Sequence, residues 1–293
     1  LGERLQVRLT DIPSSYEGFS RLSRVAHKLE DCFLDEVDVD MSHVRWFDAN
    51  MCAPFGAILH RTRQSINTVS IRNIQDRVRT ILCKNGFLEP YGFPLMANTH
   101  GTTIPYKLFK PTDLSYFNSY VKAYLRGKGI PDMTEALRKK FYEGIMEIFS
   151  NAATHSETKM GIHACGQLFP KKDRLEFSIS DLGIGIRMSI LQMGDIDFTA
   201  AKAIQWAIAG RNTTRRGATP GGSGLKILRE FVKKNNGRIQ IVSDKGYWEL
   251  NRGEERLKTL EHPFPGTVVN LEFNTADPKS YRLASEAQAQ DIP

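Results

Sequence analysis

The chain has 293 residues, 41% of them apolar and 25% charged, the balance of an ordinary folded protein, which excludes disorder, collagen and coiled coil. At roughly 150 residues per domain the length predicts two domains, each able to bury a core without metal or disulfide staples. The net charge is +7, yet residues 1–100 hold about 12 Lys/Arg and 12 Asp/Glu, so the whole excess lies beyond them, where it can serve nucleic acid or a nucleotide's phosphates.

Cys32, Cys52, Cys83 and Cys165 stand far apart with no C-x-x-C pair, and read as reduced core thiols. The longest apolar stretch, around Met51 to Leu59, is too short for a bilayer and contains Pro54. The first residues lack the basic-then-apolar order of a signal peptide. A cytoplasmic protein without a membrane segment is expected.

Taken in order, the periodicity predicts a helix from Tyr16 to Phe33 and a strand through Val37, Val39 and Met41. A helix near Ala53 to His60 follows, then a strand at Val69 and Ile71 and a helix from Ile74 to Leu82 ending near Gly86. This is a β-α-β-α order. Met96 to Thr103, with Asn98 and Gly101, carries loop chemistry and sets a boundary between domains at 1–100 and 101–274.

Beyond it, Leu137, Phe141, Ile145, Ile148 and Ala152 form one apolar stripe, so a helix is predicted from about Met133 to Thr154. The segment Leu175 to Asp181 alternates, with Leu175, Phe177 and Ile179 on one face and Glu176, Ser178 and Ser180 on the other, the pattern of a sheet covered on one side. A long polar loop leads to a helix from Leu225 to about Asn235, stopped by Gly237. A strand at 239–243, a turn at Asp244-Lys245-Gly246 and a strand through Val269, Leu271 and Phe273 complete a two-layer α+β sandwich. Residues 275–293 read as a poorly ordered polar tail.

Four segments of the second domain carry chemistry. Glu147 and Asn151 stand one helical turn apart on one face; a carboxylate can poise water, and an amide oxygen suffices for Mg²⁺ whose other ligands are phosphates and water. Glu143 and Glu147 are like charges at the same spacing, an arrangement an ordinary surface helix has no reason to keep. Asp181-Leu182-Gly183-Ile184-Gly185 places a carboxylate at a strand end, where it can accept from an amino group such as adenine N6, and two glycines that allow close approach of a flat ligand. It is not a dinucleotide fingerprint, because Met188 stands where a third glycine is needed. Arg211, Arg215, Arg216 and Lys226 surround Gly221, Gly222, Ser223, Gly224 and Leu225, which open a helix whose N–H groups and dipole favour phosphate. Ser223 stands where a Walker A loop needs Lys. Gly266-Thr267 precedes the last strand.

In this order, over roughly residues 130–274, the segments resemble the GHKL superfamily of gyrase, MutL, heat-shock chaperones and histidine kinases. The resemblance implies a Bergerat sandwich binding ATP with Mg²⁺. By it Glu147 would be the general base, Asn151 the Mg²⁺ ligand and Asp181 the adenine reader, with Gly183, Gly185, Gly221, Gly222, Ser223, Gly224, Leu225 and Thr267 lining the nucleotide. Residues from about Met188 to Pro220 would form a lid, with Arg215 or Arg216 on the γ-phosphate. The stretch from Val37 to His60 resembles the STAS-like family of interaction domains over roughly residues 35–90, but Asp48 is followed by Ala49 and Asn50 where switch-type members carry a phosphorylatable Ser or Thr. A histidine kinase would need a phospho-acceptor; His27 is a lone histidine on a predicted helix.

The leading expectation is an Mg²⁺-dependent ATPase whose lid or dimer contacts switch a protein partner, the partner or a second copy meeting the N-terminal domain or lid. The alternatives are a serine or histidine kinase of partner-switching or two-component type, a non-catalytic ATP sensor, and a nucleic-acid-associated ATPase, the last resting on charge alone.

Overall fold

The computed structural model describes residues 2–154, 156–194, 197–209 and 223–288. The N-terminal unit opens on a strand absent from the expected order, β1 (Arg4–Ile12), followed by α1 (Tyr16–Lys28), β2 (Glu36–Phe47), α2 (Cys52–Gln64), β3 (Thr68–Arg72) and α3 (Asp76–Lys84). Its sheet is parallel, with β2 between β1 and β3. Val7, Leu9, Val37, Val39, Met41 and Ile71 face the core, and the alternate positions carry polar side chains such as Arg4, Gln6, Asp38 and Asp40, as a two-residue period requires. On α1, Phe19, Leu22 and Val25 form the buried stripe. The helix ends at Lys28, five residues before the predicted Phe33, and Leu34, with a left-handed backbone at φ 59°, stands in the turn that leads to β2. All four cysteines are buried and free.

The second unit comprises β4 (Thr103–Phe109), α4 (Leu114–Leu125), α5 (Glu135–Thr154), β5 (Ile162–Phe169), β6 (Arg174–Asp181), α6 (Gly185–Gly194), α7 (Ala200–Ile208), α8 (Ser223–Lys234), β7 (Arg238–Asn251), β8 (Glu254–Asn274) and α9 (Ala284–Gln288). The five strands run in the order β4-β5-β6-β8-β7, every neighbour antiparallel. Phe117 of α4, Phe141, Ile145 and Phe149 of α5 and Leu228 and Phe231 of α8 pack on Phe177, Ile179, Leu271 and Phe273 of the sheet. This is the α+β fold expected.

Three expectations are corrected. The polar face of β6 is not open: Glu176, Ser178 and Ser180 are each 0% exposed, because the N-terminal unit covers that side of the sheet. There the Ser14 hydroxyl donates to Glu176 Oε2 at 2.5 Å, and Asn50 Nδ2 donates to Ser178 Oγ at 3.1 Å and Asn270 Oδ1 at 2.9 Å. Around this polar seam Phe19, Leu22 and Phe55 join Val242, Tyr247, Phe264 and Val268 in one apolar cluster. Burial, together with the nearby Asp48 carboxylate, pushes the Glu176 carboxyl up to about 8, opposed by Arg174 and Arg238.

The expected turn at 244–246 is not a turn. Asp244, φ 51°, makes a bulge in β7, and the strand runs on to Asn251, where Arg252 and Gly253 reverse the chain. The segment after Thr275 is tied down through its described residues: Tyr281 is 9% exposed, its hydroxyl donates to Lys234 O at 3.1 Å, and Thr134 Oγ1 donates to Glu286 at 2.8 Å.

Candidate functional site

Helix α5 builds one wall of the site. The like charges at Glu143 and Glu147 are resolved by separate partners: Lys140 Nζ lies 2.7 Å from Glu143, and Glu147 Oε2 accepts the Leu225 N–H at 3.0 Å. Glu147 thus satisfies an amide of the first turn of α8, where unpaired N–H groups and the helix dipole favour an anionic oxygen. What brings α8 so near is a pair of glycines. A Cβ on Gly144 would stand 2.6 Å from Gly224 O and 2.8 Å from Leu228 Cβ, and one on Gly224 would stand 2.8 Å from Gly144 N. Gly224, expected as a phosphate-loop glycine, is needed for this backbone-to-backbone helix contact. Asn151, one turn on, is half-buried.

Asp181 ends β6 opposite Thr267 of β8 and is 4% exposed. Its Oδ1 accepts the Gly183 N–H at 2.8 Å. Burial pushes its carboxyl up to about 7, opposed by hydrogen bonds from the Gly183 and Thr267 N–H groups and from Ser156. The glycines around it meet the protein's own packing. A Cβ on Gly183 would lie 1.9 Å from Ser156 O, Gly185 starts α6 at φ 78°, and Gly266, at φ 97°, passes so close that a Cβ would lie 2.2 Å from Asp181 O. Gly183 and Gly185, expected to leave room for a flat ligand, are each also required by a contact or a dihedral within the chain.

The chain just beyond α5 touches the end of β6, where Ser156 reaches Asp181 and Ser156 O accepts the Ile184 N–H at 2.8 Å. Glu147, Gly224 and Leu225 thus meet where α8 crosses α5, Asp181, Gly183, Gly185 and Thr267 gather at the end of β6, and Asn151 stands on α5 one turn beyond Glu147. Arg211, Arg215, Arg216, Gly221 and Gly222 lie outside the described residues, as does the side chain of Ser223, which begins α8. The part of the expected lid within them, 188–194 and 197–209, contains most of α6 and all of α7. Arg187 joins these helices by donating to Phe198 O at 2.8 Å and pairing with Asp197 at 2.7 Å.

Sequence reasoning missed Gly144, Ser156 and Ser243. Ser243 Oγ accepts the Ile186 N–H at 2.9 Å and lies 3.1 Å from both Gly266 O and Thr267 Oγ1, fastening α6 to both long strands. Gly144 carried a usable signal, a glycine inside a strong helical stripe at a cost of roughly 1 kcal/mol relative to Ala; Ser156 and Ser243 carried none. His27, the lone helix histidine, stacks on His262 at 4.3 Å between ring centres and lies 3.4 Å from Glu30.

Among the described residues no helix is long and apolar enough to cross a membrane, and no group of three or more His, Cys, Asp or Glu side chains could hold a metal ion. No curated protein matches the chain. Residues 136–275 match the family model of the histidine kinase-, DNA gyrase B- and HSP90-like ATPases, a span that begins at the start of α5 and leaves out the N-terminal unit. The stretch from α5 to the end of β8 is thus a GHKL-type ATP-binding domain.

Proposed function

We propose that the chain binds ATP with Mg²⁺ at the end of α5 and hydrolyses it slowly, as a conformational switch acting on a protein partner. The observation that supports this most is the hydrogen bond of Glu147 to the first-turn amide of α8, with Asp181 buried at the end of β6. The donor set fits the nucleotide. The start of α8 already holds an anionic oxygen, Asp181 is an acceptor of the kind an exocyclic amine requires, and the Asn151 amide has no hydrogen-bond partner among the described residues.

In this reading Asp181 accepts from adenine N6, Asn151 holds the cation through its amide oxygen, and the first-turn N–H groups of α8 take phosphate oxygens. Gly183, Gly185, Gly221, Gly222, Ser223, Gly224, Leu225 and Thr267 shape the walls. Bound ATP with Mg²⁺ supplies the phosphoanhydride and the charge neutralisation that phosphoryl transfer needs. Glu147 orients a water and accepts its proton, a role that typically contributes about 10²- to 10⁴-fold. Arg215 or Arg216 neutralises the γ-phosphate. Residues 1–100 act as a STAS-like interaction module, a reading supported by the parallel β-α repeat of the N-terminal unit.

Phosphate release and nucleotide binding, measured with and without Mg²⁺, test the proposal. Glu147→Gln keeps a side-chain oxygen for Leu225 N–H and should bind ATP normally while turnover falls at least about 10²-fold. Equal turnover in variant and wild type would remove Glu147 from the chemistry. Loss of all ATP binding by the wild type at millimolar concentration would remove the proposal.

A further inference from the structure

The end of the N-terminal unit at which its three strands begin, and at which α1 and α2 finish, displays three bulky apolar side chains. Phe33 is 61% exposed, Leu34 54% and Ile66 66%. Hydrogen bonds join the two turns that carry them. Asp35 N–H donates to Asn67 Oδ1 at 2.8 Å, Asn67 Nδ2 donates to Cys32 O at 3.0 Å and Thr62 O at 2.8 Å, and Thr68 N–H donates to Asp35 O at 2.9 Å.

Leu34 and Ile66 both have left-handed backbones, φ 59° and 61°. Such a conformation is unfavourable for a bulky side chain, and for a β-branched one it is an outlier; Gly or Asn would adopt it readily. Packing does not require them, since more than half of each residue is exposed. Leu34 and Ile66 thus combine an unfavourable backbone with exposed apolar surface, the combination expected where side chains are presented to a partner.

The rim is acidic. Glu3, Glu30, Asp31 and Glu36 are exposed around the patch and Asp35 is half-buried beneath it. The carboxyl ends of α1 and α2 add partial negative charge. Of the nearby cations, Arg4 is bound to Asp38 and Arg63 lies over the Tyr91 ring, leaving Lys28 and Arg61. A second copy meeting the patch with its own would set acid against acid, and an anionic bilayer would be repelled in the same way.

We propose that Phe33, Leu34 and Ile66 form a docking surface for a separate protein that presents an apolar helix face flanked by Lys and Arg. This names the partner chemistry of the N-terminal interaction module and rests on that reading, but not on nucleotide binding. The far ends of β1 and β2 lead into Ser14, Asp48 and Asn50 at the seam, so one end of the unit is fixed to the ATPase sheet and the other faces outward.

The test uses the full chain without nucleotide and a labelled amphipathic peptide of about 18 residues, five turns of helix, with a leucine face and lysine flanks. Fluorescence anisotropy should show saturable binding, weakened at least roughly tenfold in Phe33→Ser/Ile66→Asn and several-fold in about 0.5 M salt. Leu257→Ser, at another exposed apolar position, should leave it unchanged. Ile66→Asn alone should raise the melting temperature by relieving the left-handed backbone, so that lost binding cannot be mistaken for unfolding. A lowered melting temperature would make Ile66 structural and overturn the proposal. So would equal binding of a peptide with glutamate flanks, undiminished binding by the double variant, a patch-dependent homodimer in sedimentation, or patch-dependent binding to phosphatidylserine vesicles. Absent peptide binding with ATP turnover intact would sink this inference alone.

Discussion

Replacing Asp181 with Asn separates what the site requires from what the fold would prefer. The carboxyl is raised by burial from 3.8 to about 7, whereas in the unfolded chain it titrates near 3.9. A folded value above the unfolded one means that the stabilisation linked to its proton is complete below about pH 4 and is lost as pH rises through 7. The full span, about three pH units at 1.36 kcal/mol each, amounts to about 4 kcal/mol, of which about 2–3 kcal/mol disappears between pH 5 and 8. Asn has nearly the same shape, can still accept the Gly183 N–H, and carries no charge at any of these values. Urea unfolding of both chains at pH 5, 6.5 and 8 should therefore show Asp181→Asn gaining on the wild type as pH rises. The raised Glu176 is common to both and cancels in the difference. ATP affinity should fall roughly 10²-fold in the variant, because its amide group would face the adenine amine with a donor instead of an acceptor. A stability difference that is the same at pH 5 and 8 would refute the reasoning, since it would mean that the carboxyl is not desolvated.

Three further changes address other parts of the structure. Gly266→Ala places a methyl against Asp181 O at φ 97° and should cost at least about 2 kcal/mol in chemical denaturation while weakening ATP binding. Asn50→Leu removes the amide shared by Ser14, Ser178 and Asn270 and should cost about 2–4 kcal/mol, read as a lower urea midpoint with little direct effect on nucleotide affinity. Asn151→Ala should abolish the Mg²⁺ dependence of the ATP-induced rise in melting temperature, measured with and without EDTA; an unchanged dependence would place the cation elsewhere.

The second unit was more legible than the first. The α5 stripe and the β6 alternation are periodic enough to read directly, and Glu147, Asn151, Asp181 and Gly183 lie on the elements the pattern assigned. What escaped was set by tertiary packing. The alternation of Glu176 and Ser178 indicates one apolar face, but not that the polar face is buried against Asn50 more than 100 positions away. β1 has the required alternation in Leu5, Val7 and Leu9, but its charged partners mask it until Arg4 is seen paired with Asp38. Asp244 suggested a turn because its neighbours Lys245 and Gly246 have turn chemistry; the structure spends that tolerance on a bulge within a long strand. The packing role of Gly224 became visible only once α5, with Gly144, and α8 were both in place.

Strand β6 is held from both directions. Its Glu176 and Ser178 are gripped from behind by Ser14 and Asn50, and five and three residues further along it ends in Asp181. One unbroken strand therefore runs from that contact to the carboxylate. The same arrangement makes excision of residues 101–288 an unsafe way to study the ATP-binding half, since the cut would strip cover from Val242, Tyr247 and Phe264 and wet a carboxyl, an amide and a serine that now satisfy one another.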